Sequence, residues 1–141
     1  MMLGYIGAAE ETEKRMSGEW FLTGDRAVME ESGDLMYMGR NDDMMNAGGY
    51  RVSPIEVERA LTEHAGVEDA AAVEVRVGPD TSVIAAAWTG PADLDEAVLL
   101  AHTSGRLARY KCPRILRRVD ALPRGANGKL LRRAVRAMFE A

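Results

Sequence analysis

Cysteine and histidine are scarce in this sequence: among 141 residues only Cys112, His64 and His102 are of these types. A single thiol excludes an internal disulfide and any cysteine-based metal cluster. No nucleophile–base arrangement accompanies Cys112, which therefore reads as a small packed thiol. The two histidines show neither His-x-x-x-His spacing nor a paired-carboxylate pattern, so they are assigned to packing or surface and no metal site is expected. No run of about 18 apolar residues could span a bilayer. The start, Met1-Met2-Leu3-Gly4-Tyr5-Ile6, has neither the basic region nor the long apolar stretch of a secretory signal. A cytoplasmic protein without a membrane segment is expected. Aromatic residues make up 6% of the chain, and beyond residue 100 only Tyr110 and Phe139 are aromatic. That is too few for the interleaved stacking platform of a single-strand binder.

What is present describes an ordinary globular chain, 47% hydrophobic and 28% charged, long enough for one core plus a short arm. The net charge of −4 conceals a division: residues 1–100 hold 7 Lys/Arg and 20 Asp/Glu, whereas residues 101–141 hold 11 Lys/Arg and 2 Asp/Glu. The basic tail should attract anions. A phosphorylated cofactor and a nucleic acid both qualify, as does a solvated helix face with no ligand.

Segments 19–23, 27–30 and 34–38 have strand character, punctuated by Gly24-Asp25 and by Glu31-Ser32-Gly33-Asp34, and the second and third should pair as a hairpin. The polar stretch Arg40-Asn41-Asp42-Asp43 reads as a linker, followed by Gly48-Gly49, where backbone can approach another surface without a Cβ in the way. Ser53-Pro54-Ile55-Glu56 predicts a helix start with Ser53 as N-cap and Glu56 completing a capping box, the helix running to about His64. Alternation of Val73, Val75 and Val77 with Glu74 and Arg76 predicts a half-exposed strand, and 83–88 a fully apolar one. Asp93 and Glu96 repeat the capping pattern before a helix to about Leu107. A strand over 115–119, a glycine-rich loop and a basic amphipathic helix to about Phe139 complete an α+β pattern, a small mixed sheet covered by helices.

Gly128-Lys129 suggests a phosphate-binding P-loop, but that motif needs glycine where Pro123 stands and Ser or Thr where Leu130 stands. What remains is Lys129 on a glycine-flexible loop, an ammonium that can be inserted into a site and withdrawn.

Trp20-Phe21-Leu22-Thr23-Gly24-Asp25, Gly39-Arg40-Asn41-Asp42-Asp43-Met44, Gly48-Gly49-Tyr50-Arg51-Val52-Ser53-Pro54-Ile55-Glu56-Val57-Glu58, Tyr110-Lys111-Cys112-Pro113 and Leu122-Pro123 through Gly128-Lys129-Leu130 stand in an order that resembles the AMP-forming acyl-CoA synthetases. These belong to the superfamily of acyl-CoA synthetases, peptide-synthetase adenylation domains and luciferases. The resemblance runs from about Gly4 to the C-terminus. It implies a two-step reaction in which carboxylate and ATP give acyl-adenylate and pyrophosphate, and the CoA thiol then displaces AMP. Both steps build negative charge that a positioned cation stabilises.

The resemblance further implies that residues 1–41 are the tail of a large N-terminal domain, contributing a short β-hairpin, and that 42–141 form a mobile C-terminal domain. Asp25 would accept the nucleotide's ribose hydroxyls, Arg40 would also contact nucleotide, and Asp42 would be the hinge. Lys129 would bridge the carboxylate substrate and the α-phosphate during adenylation. Gly49 and Arg51 would serve thioester formation from another face, the glycine leaving room for the pantetheine arm. Lys111 would steer CoA phosphates, or is a surface lysine. Two departures concern loops: the family often has Thr or Ser where Gly125 stands, and the loop at 78–82 is several residues short.

The family's phosphate loop, adenine-contacting segment and acyl pocket lie outside this sequence. The chain alone is therefore expected to be inactive, with its partners being the large domain, ATP, CoA and a carboxylic acid. Magnesium is expected in the whole enzyme but not on this chain, and Lys129 matches sites where a lysine acetyltransferase switches relatives off. Loading of a carrier protein instead of CoA is the rival within the superfamily. From another class comes a stand-alone nucleic-acid- or protein-binding module using the basic tail.

Overall fold

A computed structural model describes residues 3–140. The chain divides into two compact units, the first ending at Asp42 and the second beginning at Asp43. In the first, helix α1 (Ala9–Lys14) leads into the strands β1 (Met16–Ser17) and β2 (Trp20–Phe21), which pair antiparallel. The expected hairpin follows as β3 (Asp25–Met29) and β4 (Leu35–Arg40), with a register shift at Arg26/Ala27. The sequence analysis did not anticipate α1, whose six residues bury nothing.

The second unit opens with a hairpin that was also not anticipated: β5 (Met45–Ala47) and β6 (Tyr50–Val52) pair so that Ala47 faces Tyr50. The loop residues Gly48 and Gly49 have φ of 58° and 87°. Two successive positive φ values make the mirror-image turn whose twist suits a two-residue hairpin, and glycine adopts it without steric cost. The pair of glycines is thus a turn signal in addition to a place of close approach.

Helix α2 (Pro54–Thr62) begins where expected, with Pro54 in its first turn, and buries Pro54, Val57, Ala60 and Leu61 at helical spacing. The Ser53 side-chain half of the expected capping box does not form: Ser53 has extended N-cap geometry but makes no side-chain cap bond, and Glu56 Oε1 accepts from Lys111 at 2.6 Å. Strands β7 (Asp69–Gly78) and β8 (Thr81–Thr89) form a long antiparallel hairpin, and β9 (Ile115–Arg118) adds parallel to β8. Helix α3 (Glu96–Ser104) lies between β8 and β9 in the chain. Its N-cap is Asp95, whose carboxylate accepts from the Ala97 N–H at 2.8 Å, so Asp93 is not the cap. Helix α4 (Arg132–Glu140) closes the chain.

The three-stranded mixed sheet is covered on both faces, the α+β architecture expected from the sequence. Ala70, Ala72, Ile84, Ala86 and Trp88 face the side of Val57 and Leu61 of α2 and Leu99 of α3. Ala71, Val73, Val75, Ala85 and Ala87 face the side of Val135 and Phe139 of α4. The period of two along each strand delivers alternate residues to the two cores, and alanines in mid-strand let helices pack close to the sheet. Strand β7 is accordingly longer and more buried than expected. Only its far end, at Arg76 and Val77, is exposed, because the face that the alternation assigned to solvent continues toward the strand's start as Ala70 and Ala72, which pack into the core beside α2 and α3.

Candidate functional site

Three of the residues singled out in the sequence meet within the first unit. The Arg40 guanidinium donates to Asp42 from Nε at 3.1 Å and to the Thr23 carbonyl from Nη1 at 2.8 Å, and its Nη1 lies 3.5 Å from an Asp25 oxygen. Backbone closure by the Asn41 N–H onto the Gly24 carbonyl at 2.7 Å holds the two ends of this hairpin together. The Arg40 hydrogen bond holds the Asp42 carboxyl below its ordinary value, and Asp42 in turn raises the pKa of Arg40. A depressed carboxyl contributes its stability above the ordinary aspartate value of about 4 and loses it only as pH falls through the lower folded value. The contact therefore persists across neutral pH.

A second group gathers around the β5–β6 hairpin. Gly49 occupies the turn, where its N–H donates to Asn46 Oδ1 at 3.0 Å, and Arg51 lies in β6 opposite Asn46. The Asn46 N–H donates to Glu74 at 2.8 Å, and Ser82 donates to the Asn46 carbonyl at 2.9 Å, which fixes the hairpin to the β7–β8 pair. Tyr50 stacks on Tyr110 with ring centroids 4.4 Å apart. Tyr110 belongs to the single 3-10 turn Arg109–Lys111, so the hairpin and that turn share one surface. Between them runs an open groove of about 280 Å³ bordered by Gly48, Ser82, Arg109, Tyr110, Cys112 and Arg114. Lys111 is not a free surface lysine: its Nζ is 2.6 Å from Glu56 and 5.8 Å from the Tyr110 ring centre. Sequence reasoning missed Arg109, Tyr110 and Arg114 as groove residues, although their clustering around Lys111 was legible.

Lys129 stands on a different element, the loop before α4. Its side chain is exposed and makes no hydrogen bond or ion pair among the described residues. The loop itself is far from slack. Gly125 donates to the Lys129 carbonyl at 2.8 Å, Gly128 to the Gly125 carbonyl at 2.9 Å, and Leu131 to the Pro123 carbonyl at 2.9 Å, while Arg124 and Leu130 form an antiparallel bridge. Gly128, with φ of 76°, supplies the left-handed residue that this tight closure needs. The sequence expectation of a glycine-flexible loop is corrected: the glycines serve a closed turn that presents the lysine.

Beside that loop lies an unanticipated part-buried ion pair. Arg132 grips Glu58 of α2 through both terminal nitrogens, donates to the Ala72 carbonyl at 3.1 Å and reaches Asp43 from Nε at 3.2 Å. Burial acts to lower the Arg132 pKa, but the Glu58 hydrogen bonds and the Glu58 and Asp43 charges outweigh it and leave the pKa raised. The two histidines pack edge to face at 5.0 Å, with His102 Nε2 against the Ala60 carbonyl and His64 Nδ1 accepting from the Gly66 N–H.

A family profile described as the AMP-binding enzyme C-terminal domain matches residues 56–129, ending on Lys129. The chain belongs to this family. Curated relatives include a 3-[(3aS,4S,7aS)-7a-methyl-1,5-dioxo-octahydro-1H-inden-4-yl]propanoyl:CoA ligase of Mycobacterium tuberculosis, 38% identical over 98% of this chain and 28% of its own length. Benzoate–CoA ligase of Thauera aromatica is 36% identical over 94% of this chain and 26% of its own length. Among solved structures, an amide bond synthetase from Marinactinospora thermotolerans superposes with a TM-score of 0.91 at 34% identity, over 99% of this chain and 28% of that one. The o-succinylbenzoate CoA synthetase of Bacillus subtilis, solved with its acyl-adenylate intermediate, gives 0.88 at 29% identity, over 96% of this chain and 28% of that one. The chain spans little more than a quarter of the length of these relatives.

Proposed function

We propose that this chain serves as the C-terminal part of an ATP-dependent acid–CoA ligase. The carrying observation is that the family match ends on Lys129, whose side chain makes no hydrogen bond or ion pair among the described residues and which is held on a closed loop. A carboxylate oxygen of the acid attacks the α-phosphorus of ATP and pyrophosphate leaves. The Lys129 ammonium bridges the carboxylate and the α-phosphate while that charge develops, for which an exposed, unpaired cation is suited. In the second step the CoA thiol attacks the acyl carbonyl and AMP leaves. The β5–β6 turn at Gly49 faces the thiol arm, and Arg51, with Arg109 and Arg114 beside the groove, supplies cations for CoA phosphates. Lys111, committed to Glu56, supports this surface rather than binding phosphate itself. In the first unit Asp25 accepts ribose hydroxyls beside Arg40, and Asp42 is the hinge.

The acid, nucleotide and phosphate sites are completed by a large N-terminal domain. Magnesium would accompany ATP there, where it neutralises phosphate charge; among the described residues no three His, Cys, Asp or Glu converge on a metal position. No helix of the described residues is long and apolar enough to cross a membrane.

The test uses the enzyme in which this chain follows its large domain. Lys129→Ala should lower acid-dependent ATP–pyrophosphate exchange by about 10² to 10³-fold, the range for losing one electrostatic stabiliser. Conversion of supplied acyl-adenylate and CoA to acyl-CoA should stay near wild type. Acetylation of Lys129 by a lysine acetyltransferase, checked by peptide mass mapping, should reproduce the adenylation loss because it removes the same charge. Equal loss in both half-reactions would overturn this role for Lys129.

A further inference from the structure

The Lys129 side chain has no partner among the described residues, so its position depends on what holds its loop. Both ends of that loop are anchored in the α4-side core, by Leu122 at one end and Leu130 and Val135 at the other. Between them Asn127 Oδ1 accepts from the Lys129 N–H at 3.2 Å, and one arginine ties the loop to the sheet. Arg124 donates from Nη1 to the carbonyl of Gly128, the residue directly before Lys129, at 2.9 Å. From Nη2 it donates to Asp69 Oδ2, in the first residue of β7, at 2.5 Å. Asp69 is itself fixed, because its other oxygen accepts from the Ala70 N–H at 2.9 Å. A planar guanidinium can satisfy both acceptors at once, whereas a single ammonium has no such fork.

We propose that Arg124 is a positioning residue for adenylation: braced on Asp69 of the sheet, it fixes the Gly128 carbonyl and hence the direction in which the adjacent Lys129 leaves the loop. The brace acts through Lys129 and touches neither acid nor nucleotide. It lies at the surface, with the Arg124 and Asp69 side chains 47% and 41% exposed, where an ion pair contributes little to stability. Its value is geometric, since displacement of a reacting group by about 1 Å can cost about 10²-fold in rate.

The inference rests on the ligase role proposed for Lys129, and the experiment separates the two. In the enzyme with its large domain, Arg124→Ala should reduce kcat for acid-dependent ATP–pyrophosphate exchange by about 10 to 100-fold while leaving KM for ATP within about twofold. Acyl-CoA formation from supplied acyl-adenylate should be unchanged, and the melting temperature should move by no more than a few degrees. Arg124→Lys should fail to restore exchange. Asp69→Asn, which keeps the oxygen that accepts from Ala70, should give a smaller loss of the same kind and serves as the second variant if Arg124→Ala folds poorly. Hydrogen exchange of the Gly125 and Gly128 amides should speed up in each. Exchange at the wild-type rate in Arg124→Ala, or equal losses in the two half-reactions, overturns the brace. If Lys129→Ala in the same assay is without effect, the failure lies with the role assigned to the lysine; if Lys129→Ala is crippled and Arg124→Ala is not, it lies with the brace alone.

Discussion

Gly49 illustrates how one residue can answer to two constraints. Its φ of 87° closes the β5–β6 turn, while a Cβ built there meets nothing within 4 Å. Space is therefore no obstacle within this chain, but an ordinary side chain would resist the left-handed backbone by about 1–2 kcal/mol. Under the proposed role a side chain at this turn would also obstruct the thiol arm. The two effects are separable, because asparagine tolerates positive φ better than leucine does. Gly49→Leu is expected to lose both hairpin stability and acyl-CoA formation. Gly49→Asn should retain a melting temperature near wild type yet still slow the thioester step, with pyrophosphate exchange intact in both. Parallel thermal melts and half-reaction assays check this, and a full-speed thioester step in Gly49→Asn would leave the glycine with a turn role only.

At the scale of elements, the helices are tied to the sheet by apolar faces and one part-buried polar knot. Glu58, on α2, accepts from Arg132 at the start of α4 and from the Ala72 N–H of β7 at 2.9 Å, so a single carboxylate joins helices lying on opposite faces. The Arg132 and Glu58 side chains are only 19% and 15% exposed. Removing one partner leaves the other as an uncompensated, part-buried charge, which costs at most the roughly 3–5 kcal/mol of a fully buried one. Arg132→Met is therefore expected to destabilise the fold by up to that amount, measured by denaturant unfolding, whereas Arg124→Ala at the exposed pair should not. Arg132→Met with Glu58→Gln should recover part of the loss, since no charge is then stranded. If the double variant is no better than the single one, the knot contributes packing rather than charge pairing.

For the whole molecule, the charge division along the sequence is offset in part by folding. Residues 43–141 hold 14 Lys/Arg and 13 Asp/Glu. Arg106 pairs with Glu63, Lys111 with Glu56, Arg124 with Asp69, and Arg132 with Glu58 and Asp43, so basic residues of the tail meet acidic residues from earlier in the chain. Arg109, Arg114 and Lys129 of the same tail are the cations that the proposed role directs at the anionic ligands. The division into two units between Asp42 and Asp43 bears on the proposed rotation. With a proline at the hinge, φ is held near −65° and the backbone N–H is lost. Asp42→Pro in the enzyme with its large domain should spare pyrophosphate exchange and slow acyl-CoA formation from supplied acyl-adenylate. An unaffected thioester step would remove Asp42 from the mechanism.

The sequence by itself determined the β3–β4 hairpin, the start of α2 at Pro54, the mixed sheet and the family, since each rests on local periodicity, turn chemistry or motif order. It also placed Lys129 correctly in a loop and singled out Asp25, Arg40 and Asp42, which the fold then brought together. Only the tertiary structure decided that Glu56 pairs with Lys111, that β7 is buried on both faces, and that the Lys129 loop is tied to the sheet. Each of these depends on residues far apart in sequence: Glu56 meets Lys111, Glu58 meets Arg132 and Asp69 meets Arg124. A local pattern records which groups need partners, whereas the fold chooses the partner among all the groups it brings within hydrogen-bonding distance.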